Sequence, residues 1–219
     1  MAQLTLLTDE IIFPDPEKAL SSGLLAIGGD LKQERLLKAY RSGIFPWFSE
    51  DEQIQWWSPD PRFVLFPENL YISKSMQQLL KRNSFRCTVN HAFEEVIQNC
   101  AEARKEEGTW ITDSMKEAYC VLHQSGYAVS VEAWSDGILA GGLYGIRMGP
   151  FFFGESMFSS LSNASKYAFI RYVQQLQEQG VILIDCQVHT THLESLGASF
   201  ITRKKFLDLL HTHLPEMPA

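Results

Sequence analysis

A carboxylate and a primary amide two residues apart, Asp185 and Gln187, interrupt the end of an apolar segment, VILIDCQV at 181–188. Val181, Ile182, Leu183 and Ile184 have the pattern of a strand covered on both faces. Side chains alternate along a strand, so Asp185 and Gln187 are expected on one face about 7 Å apart, with Cys186 and Val188 on the other. Placing a carboxylate there costs several kcal/mol unless something holds or uses it. At the C-terminal edge of a sheet, where α/β folds keep their ligands, such a pair reads as functional. A solvated strand end is the alternative reading.

Other residues invite chemistry less directly. Glu155 closes a second apolar run, GPFFFGE, and needs a partner if buried; a strand-end salt bridge would serve it equally. Ser156 follows in GESMF, but Phe158 stands where a nucleophile elbow requires a second glycine, so a covalent serine is not expected. Cys186, His189 and His192 have ligand-like spacing. Alternation turns Cys186 away and no fourth ligand is evident, so no metal is expected. Trp47 and Trp110 sit in loop settings that suit either a core or a stacking platform, the latter worth roughly 1–3 kcal/mol per nucleobase. Trp56 and Trp57 are assigned to the core.

The elements that must position these groups fall into two regions. Residues 1–62 carry FPDP, GLLAIGGD, GIFPWF and WWSPDPR, short segments punctuated by Pro, Gly and Trp around one helix at 32–42 capped by Asp30. They are read as a small N-terminal domain. Residues 63–219 form a second, mixed α/β domain: strand 63–66, helix 73–82, strand 85–89, helices 91–103 and 113–125, then strands 127–134, 138–146 and 150–155. Ser135-Asp136-Gly137 makes a hairpin turn. A helix at 163–178, started by Ser162 or Asn163 and stopped by Gly180, precedes the 181–188 strand; a loop and a helix at 203–213 close the chain.

Composition narrows the class. With 219 residues, 45% hydrophobic and 12% aromatic, the chain has ample material for a globular core. MAQLTLLTDE lacks the features of a signal peptide, and no stretch approaches the roughly 18 apolar residues of a membrane span, so a cytoplasmic protein is expected. Cys87, Cys100, Cys120 and Cys186 are widely spaced and read as reduced thiols. A net charge of −7 argues against a protein that coats nucleic acid but allows a local basic patch. Lys74, Lys81 and Arg82 fall near one side of a helix, and Arg203, Lys204 and Lys205 form another cluster; a solvated face is the ordinary reading of either.

The order twisted hairpin, strand, helix, strand resembles the GCN5-related acetyltransferase fold. That fold grips coenzyme A through a Gln/Arg-x-x-Gly-x-Gly/Ala loop, and here GESMFSSLSNAS occupies its place. An acyl-transferring scaffold with a donor other than coenzyme A is therefore expected.

GLLAIGGDL, AYRSGIFPWF, WWSPDPR, EEGTWIT, GGLYG, GESMFS, NASK and IDCQV, in this order over nearly the whole chain, resemble the leucyl/phenylalanyl-tRNA–protein transferase family. The resemblance implies transfer of leucine or phenylalanine, with methionine a further candidate, from aminoacyl-tRNA to the α-amine of proteins beginning with Arg or Lys. The product is marked for N-degron proteolysis. It also implies no metal or coenzyme, and a monomer. By similarity Gln187 holds the amine through its side-chain oxygen, Asp185 orients Gln187 or helps take the proton, and Glu155 belongs to the acceptor site. Trp47 and Trp110, with Tyr40 and Tyr119 beside them, match the aminoacyl-adenosine site. Leu143, Phe152, Met157, Phe169, Tyr172, Leu176 and Ile184 match the donor side-chain pocket. Lys74, Lys81 and Arg82 match the contact with the tRNA body. Leu143, Tyr172, Leu176 and Thr190 depart from the family pattern, which bears on donor preference. The readings from other classes are a coenzyme-A-dependent N-acetyltransferase and a non-enzymatic tRNA-binding module.

Overall fold

The computed structural model describes residues 4–105 and 108–214. Its first part is a four-stranded sheet of β1 (Thr5–Leu7), β2 (Leu24–Gly28), β3 (Phe45–Pro46) and β4 (Gln55–Trp57), in the order β1-β2-β4-β3, with α1 (Gln33–Arg41) between β2 and β3. Asp30 does not cap α1 as expected; Lys32 is the cap residue, and the Asp30 carboxylate accepts the Lys32 N–H at 2.9 Å and Arg35 Nε at 3.3 Å.

The rest is a seven-stranded sheet. In chain order it uses β5 (Arg62–Leu65), β6 (Arg86–Val89), β7 (Ala128–Ser135), β8 (Ile138–Met148), β9 (Phe151–Ser159), β10 (Leu183–Gln187) and β11 (Ser199–Ile201). Its spatial order is β11-β5-β10-β9-β8-β7-β6, antiparallel throughout except for the parallel pair β9 and β10. The Asp136-Gly137 turn between β7 and β8 has φ of +50° and +79°, as a tight hairpin in a twisted sheet requires. The parallel pair needs a crossover, supplied by α5 (Ala164–Glu178). Ser162 does not start this helix: Asn163 is its cap residue, in the left-handed region at φ +68°, and Gly180 stops it at φ +75°. A short helix, α6 (Thr191–Glu194), and the edge strand β11 occupy what the sequence presents as a loop.

One face of the large sheet packs with α3 (Phe93–Glu102), α4 (Asp113–Gln124), α7 (Arg203–His213) and the N-terminal sheet in a single buried cluster that includes Leu36, Phe45, Tyr119, Phe153 and Phe206. The opposite face packs under α5 and α2 (Lys74–Lys81), around Phe152, Phe169 and Leu176. No helix of the described residues is long and apolar enough to cross a membrane.

The site arises where β9 and β10 separate. They pair at Leu183–Phe151, Ile184–Phe152 and Asp185–Phe153, and no further. Each strand carries a bulge at that point: Glu155 is the extra residue between Gly154 and Ser156, and the β10 register with β5 shifts between Asp185 and Gln187. Bulges bend and twist the strand that carries them, which here opens a gap between two parallel neighbours. Gly145, opposite the β9 bulge, allows the close approach; a Cβ there would lie 2.2 Å from the Phe153 carbonyl oxygen and 2.6 Å from the Phe152 ring. Gly145→Ala is expected to destabilise the fold by about 1–3 kcal/mol or more, because backbone must move. A urea titration of both proteins checks this; equal midpoints would contradict it.

Candidate active site

Asp185, the last residue of β10 to pair with β9, is fully buried, and Arg62, the first residue of β5, is placed on it by the antiparallel register. Its guanidinium donates Nε to Oδ1 at 2.8 Å and Nη2 to Oδ2 at 2.6 Å, a bidentate pair. The same guanidinium donates to the Gly43 carbonyl at 3.3 Å and lies 4.7 Å from the ring centres of both Phe45 and Phe206. Oδ1 of Asp185 also takes the backbone N–H of Gln187 at 2.9 Å. Beyond it, Val188 N–H donates to the Cys186 carbonyl at 2.7 Å, closing a three-residue turn centred on Gln187, whose φ is +63°. Turns of this hand are rare and strained in L-residues, and such strain collects at functional positions. Strand alternation therefore stops one residue early: Cys186 does point into the opposite core, but Gln187 is displaced from the regular strand.

The Gln187 side chain crosses the gap to β9, donating Nε2 to Glu155 Oε1 at 2.8 Å. A carboxylate only accepts, so this bond fixes which end of the amide is nitrogen. Among the described residues no donor reaches the amide oxygen. Glu155 also accepts Tyr40 OH at Oε1 (2.8 Å) and Tyr119 OH at Oε2 (3.0 Å), and the two phenol oxygens are bonded to each other. Burial pushes Glu155 up to about 7, against the pull of its three donors; nearby Asp185 adds to the rise.

These groups border a cavity of about 900 Å³. Leu143, Phe152, Met157, Phe169 and Ile184 line its apolar end. Tyr172 and Leu176, expected there too, lie one layer behind: Tyr172 packs edge-on against Phe152 at 5.1 Å and Leu176 is fully buried. Trp47, 40% exposed, and Trp110 line another part of the wall. Trp57, assigned to the core, is half-buried in the same wall, with its ring 5.6 Å from that of Trp47, whereas Trp56 is core. Tyr40 and Tyr119 do not share that wall. They are buried behind Glu155, too enclosed to meet a nucleobase.

The remaining candidates separate. Lys74, Lys81 and Arg82 are exposed on and just after α2, outside the cavity lining. Arg203 is buried, donating to the Ser58 carbonyl at 2.6 Å while its N–H meets Asp60, so its cluster is partly structural. Ser156 accepts Arg104 Nε at 3.2 Å. His189 pairs with Glu194 at 3.1 Å and stacks on Phe200, apart from buried Cys186; no cluster of three or more metal-ligating residues occurs among the described residues. Of EEGTWIT, Glu106 and Glu107 lie outside the described residues. Sequence reasoning passed over Arg62. Its signal was there: an arginine directly before a run of core residues, Phe63 to Leu65, must find a buried acceptor.

The cavity is apolar at one end, aromatic along a wall and polar where two strands part, and its lining alone does not fix the class of reactant. Family comparison makes the class specific: models of the leucyl/phenylalanyl-tRNA protein transferase and of its N-terminal domain match residues 64–211 and 29–60, and the chain belongs to that family. Relatives named leucyl/phenylalanyl-tRNA–protein transferase include one from Pseudomonas fluorescens strain Pf0-1, 53% identical over 211 residues (95% of this chain, 93% of its own). Another, from Flavobacterium johnsoniae, is 54% identical over 203 residues (92% and 96%). Among solved structures, a GCN5-related N-acetyltransferase from Kribbella flavida overlaps 80% of this chain and 62% of its own, at TM-score 0.41 and 13% identity.

The raised Glu155 carboxyl has a consequence for stability. Its contribution is complete below the unfolded value of 4.5 and is lost as pH climbs through about 7, since the folded state disfavours the charged form. Glu155→Gln is therefore expected to gain stability relative to the wild type between about pH 5 and about pH 8, by a few kcal/mol at most. Denaturant titrations at the two ends check it; a pH-independent difference would contradict it.

Proposed function

We propose that this cavity joins an aminoacyl group, delivered as the ester on the 3′ end of tRNA, to the α-amine of a protein beginning with Arg or Lys. One observation carries the reading: an amide oxygen without a donor among the described residues, on a strained turn at the meeting of two strands, held from behind by a carboxylate. A free amide oxygen is the acceptor that an attacking amine needs in order to be oriented toward an ester carbonyl. The donor is already activated, so the site has to align two substrates and handle one proton. Asp185 has both carboxylate oxygens on Arg62, and its assigned part is to hold the Gln187 turn rather than to take that proton.

The donor side chain occupies the pocket of Leu143, Phe152, Met157, Phe169 and Ile184, and Tyr172 and Leu176 set its depth from behind. Such a pocket takes Leu, Phe and Met and turns away β-branched or polar side chains, although one methylene is worth only about 1–3 kcal/mol. Trp47 and Trp110 receive the terminal adenosine. The acidic ground around Glu155, with Glu52 on the cavity wall, favours an acceptor whose first side chain is cationic. Lys74, Lys81 and Arg82 meet the phosphates of the tRNA body. Addition of such a residue marks the acceptor for N-degron proteolysis.

The direct test is transfer of labelled leucine from Leu-tRNA to a peptide beginning with Arg, with the signal abolished by ribonuclease treatment; transfer surviving digestion would contradict the reading. Trp47→Ala and Trp110→Ala should each raise the donor KM about fivefold or more, as loss of a stack worth roughly 1–3 kcal/mol requires. An unchanged KM would remove the tryptophans from the donor site. Changing Lys74, Lys81 and Arg82 together to Ala should weaken tRNA binding and flatten its dependence on salt, since phosphate contacts release counterions. An unchanged slope places the tRNA body elsewhere.

A further inference from the structure

The carboxyl of Glu155 and the hydroxyls of Tyr40 and Tyr119 make a closed ring of three contacts: Tyr40 to Oε1, Tyr119 to Oε2, and phenol to phenol. Each phenol brings one hydrogen and an ionised carboxylate brings none. Two hydrogens cannot make three hydrogen bonds, and these oxygens are buried, where an unmade bond is costly. One more proton completes the set: Glu155 Oε2–H donates to Tyr119, Tyr119 to Tyr40, and Tyr40 to Oε1. Gln187 Nε2–H keeps its bond to Oε1 in both states. Tyr40 on α1 and Tyr119 on α4 stand behind the cavity, whereas Glu155 is part of its wall, so the ring is open to the reactants on one side.

We propose that this ring is the seat of the transferred proton, with Glu155 as the catalytic residue that receives and returns it and Tyr40 and Tyr119 as positioning residues. The inference rests on the assignment of this cavity as the transfer site. As the amine nitrogen bonds to the ester carbonyl carbon, it gives one proton to Glu155. When the bond between that carbon and the ribose oxygen breaks, Glu155 returns the proton to the leaving oxygen. Ester and amine become amide and alcohol, and the ring ends as it began. The other carboxylate beside Gln187, Asp185, has both oxygens engaged by Arg62. The titratable groups facing Glu155 are Tyr40, Tyr119, Tyr144 from β8, and Asp185 with its partner Arg62. All three phenols are pushed up by burial and by Glu155, so the carboxyl is the member that exchanges a proton near neutrality.

Infrared difference spectra of the intact enzyme between about pH 5 and about pH 9 read the ring without reference to activity. The expected result is a protonated-carboxyl band that disappears together with a change in the tyrosine C–O bands and is missing from Glu155→Gln. A carboxyl band without the coupled tyrosine change, or one that persists in Glu155→Gln, overturns the ring. Glu155→Gln also fills the ring with amide hydrogens that it cannot release. In steady-state transfer to an Arg peptide it should lower kcat by about 10²-fold or more, beyond any rise in acceptor KM from the lost charge. A kcat within a few-fold of wild type, or an effect confined to KM, overturns the proton role. Gln187→Ala separates the two claims: loss of transfer there with normal transfer in Glu155→Gln fails the ring alone, and normal transfer in both fails the site assignment as well.

Discussion

The buried pair of Arg62 with Asp185 is the constraint on which the rest of the site depends. Taking two charges out of water costs several kcal/mol each, and their attraction offsets this only with good geometry and further hydrogen bonds. Both are present: two short parallel bonds, the Gly43 carbonyl, and aromatic faces on either side. What the pair secures is position. Gly43 and Phe45 belong to the N-terminal part, Phe206 to α7, and Arg62 and Asp185 to neighbouring strands of the large sheet, so one guanidinium ties four segments together at the point where β10 leaves β9.

The departure of the strands follows from that anchorage. With its carboxylate held, Asp185 can take the backbone N–H of Gln187 and maintain a turn that an L-residue does not adopt on its own. The turn ends pairing with β9, whose own bulge puts Glu155 in position to meet the Gln187 amide. Two tyrosines from separate helices then complete the Glu155 environment. On the proposed function, a polar acceptor fixed before substrate arrives leaves little reorganisation for the reaction itself.

Much of this was legible along the chain because it rests on local pattern. Apolar runs, the Asp136-Gly137 turn and the glycine after α5 locate the strands and helices of residues 62–213 to within a few residues, and the polar end of VILIDCQV marks the point where β10 parts from β9 beside the cavity. The parts that were not legible depend on distant residues. Asp185 and Gln187 are expected on one face of a regular strand, and the bulge that alters this sits beside a bond to Arg62, 123 positions away, which no local pattern announces. Tyr40 and Tyr119 look like stacking residues because a tyrosine in sequence shows its ring, not the acid its hydroxyl will meet 115 and 36 positions further on. Tyr172 and Leu176 lie on the same face of α5 as Phe169, but the pocket reaches only the first turns of that helix.

On the proposed function, the Arg62–Asp185 pair serves the geometry of Gln187 rather than the stability of the fold. Replacing both at once, Arg62→Met with Asp185→Leu, removes the pair without leaving a lone buried charge, a change often neutral or favourable for stability. The double variant is expected to unfold at a denaturant concentration close to that of the wild type yet to transfer leucine to an Arg peptide about 10²-fold more slowly, as misplacement of a reacting group by about an ångström would cause. A folded double variant that transfers at nearly the wild-type rate would contradict it.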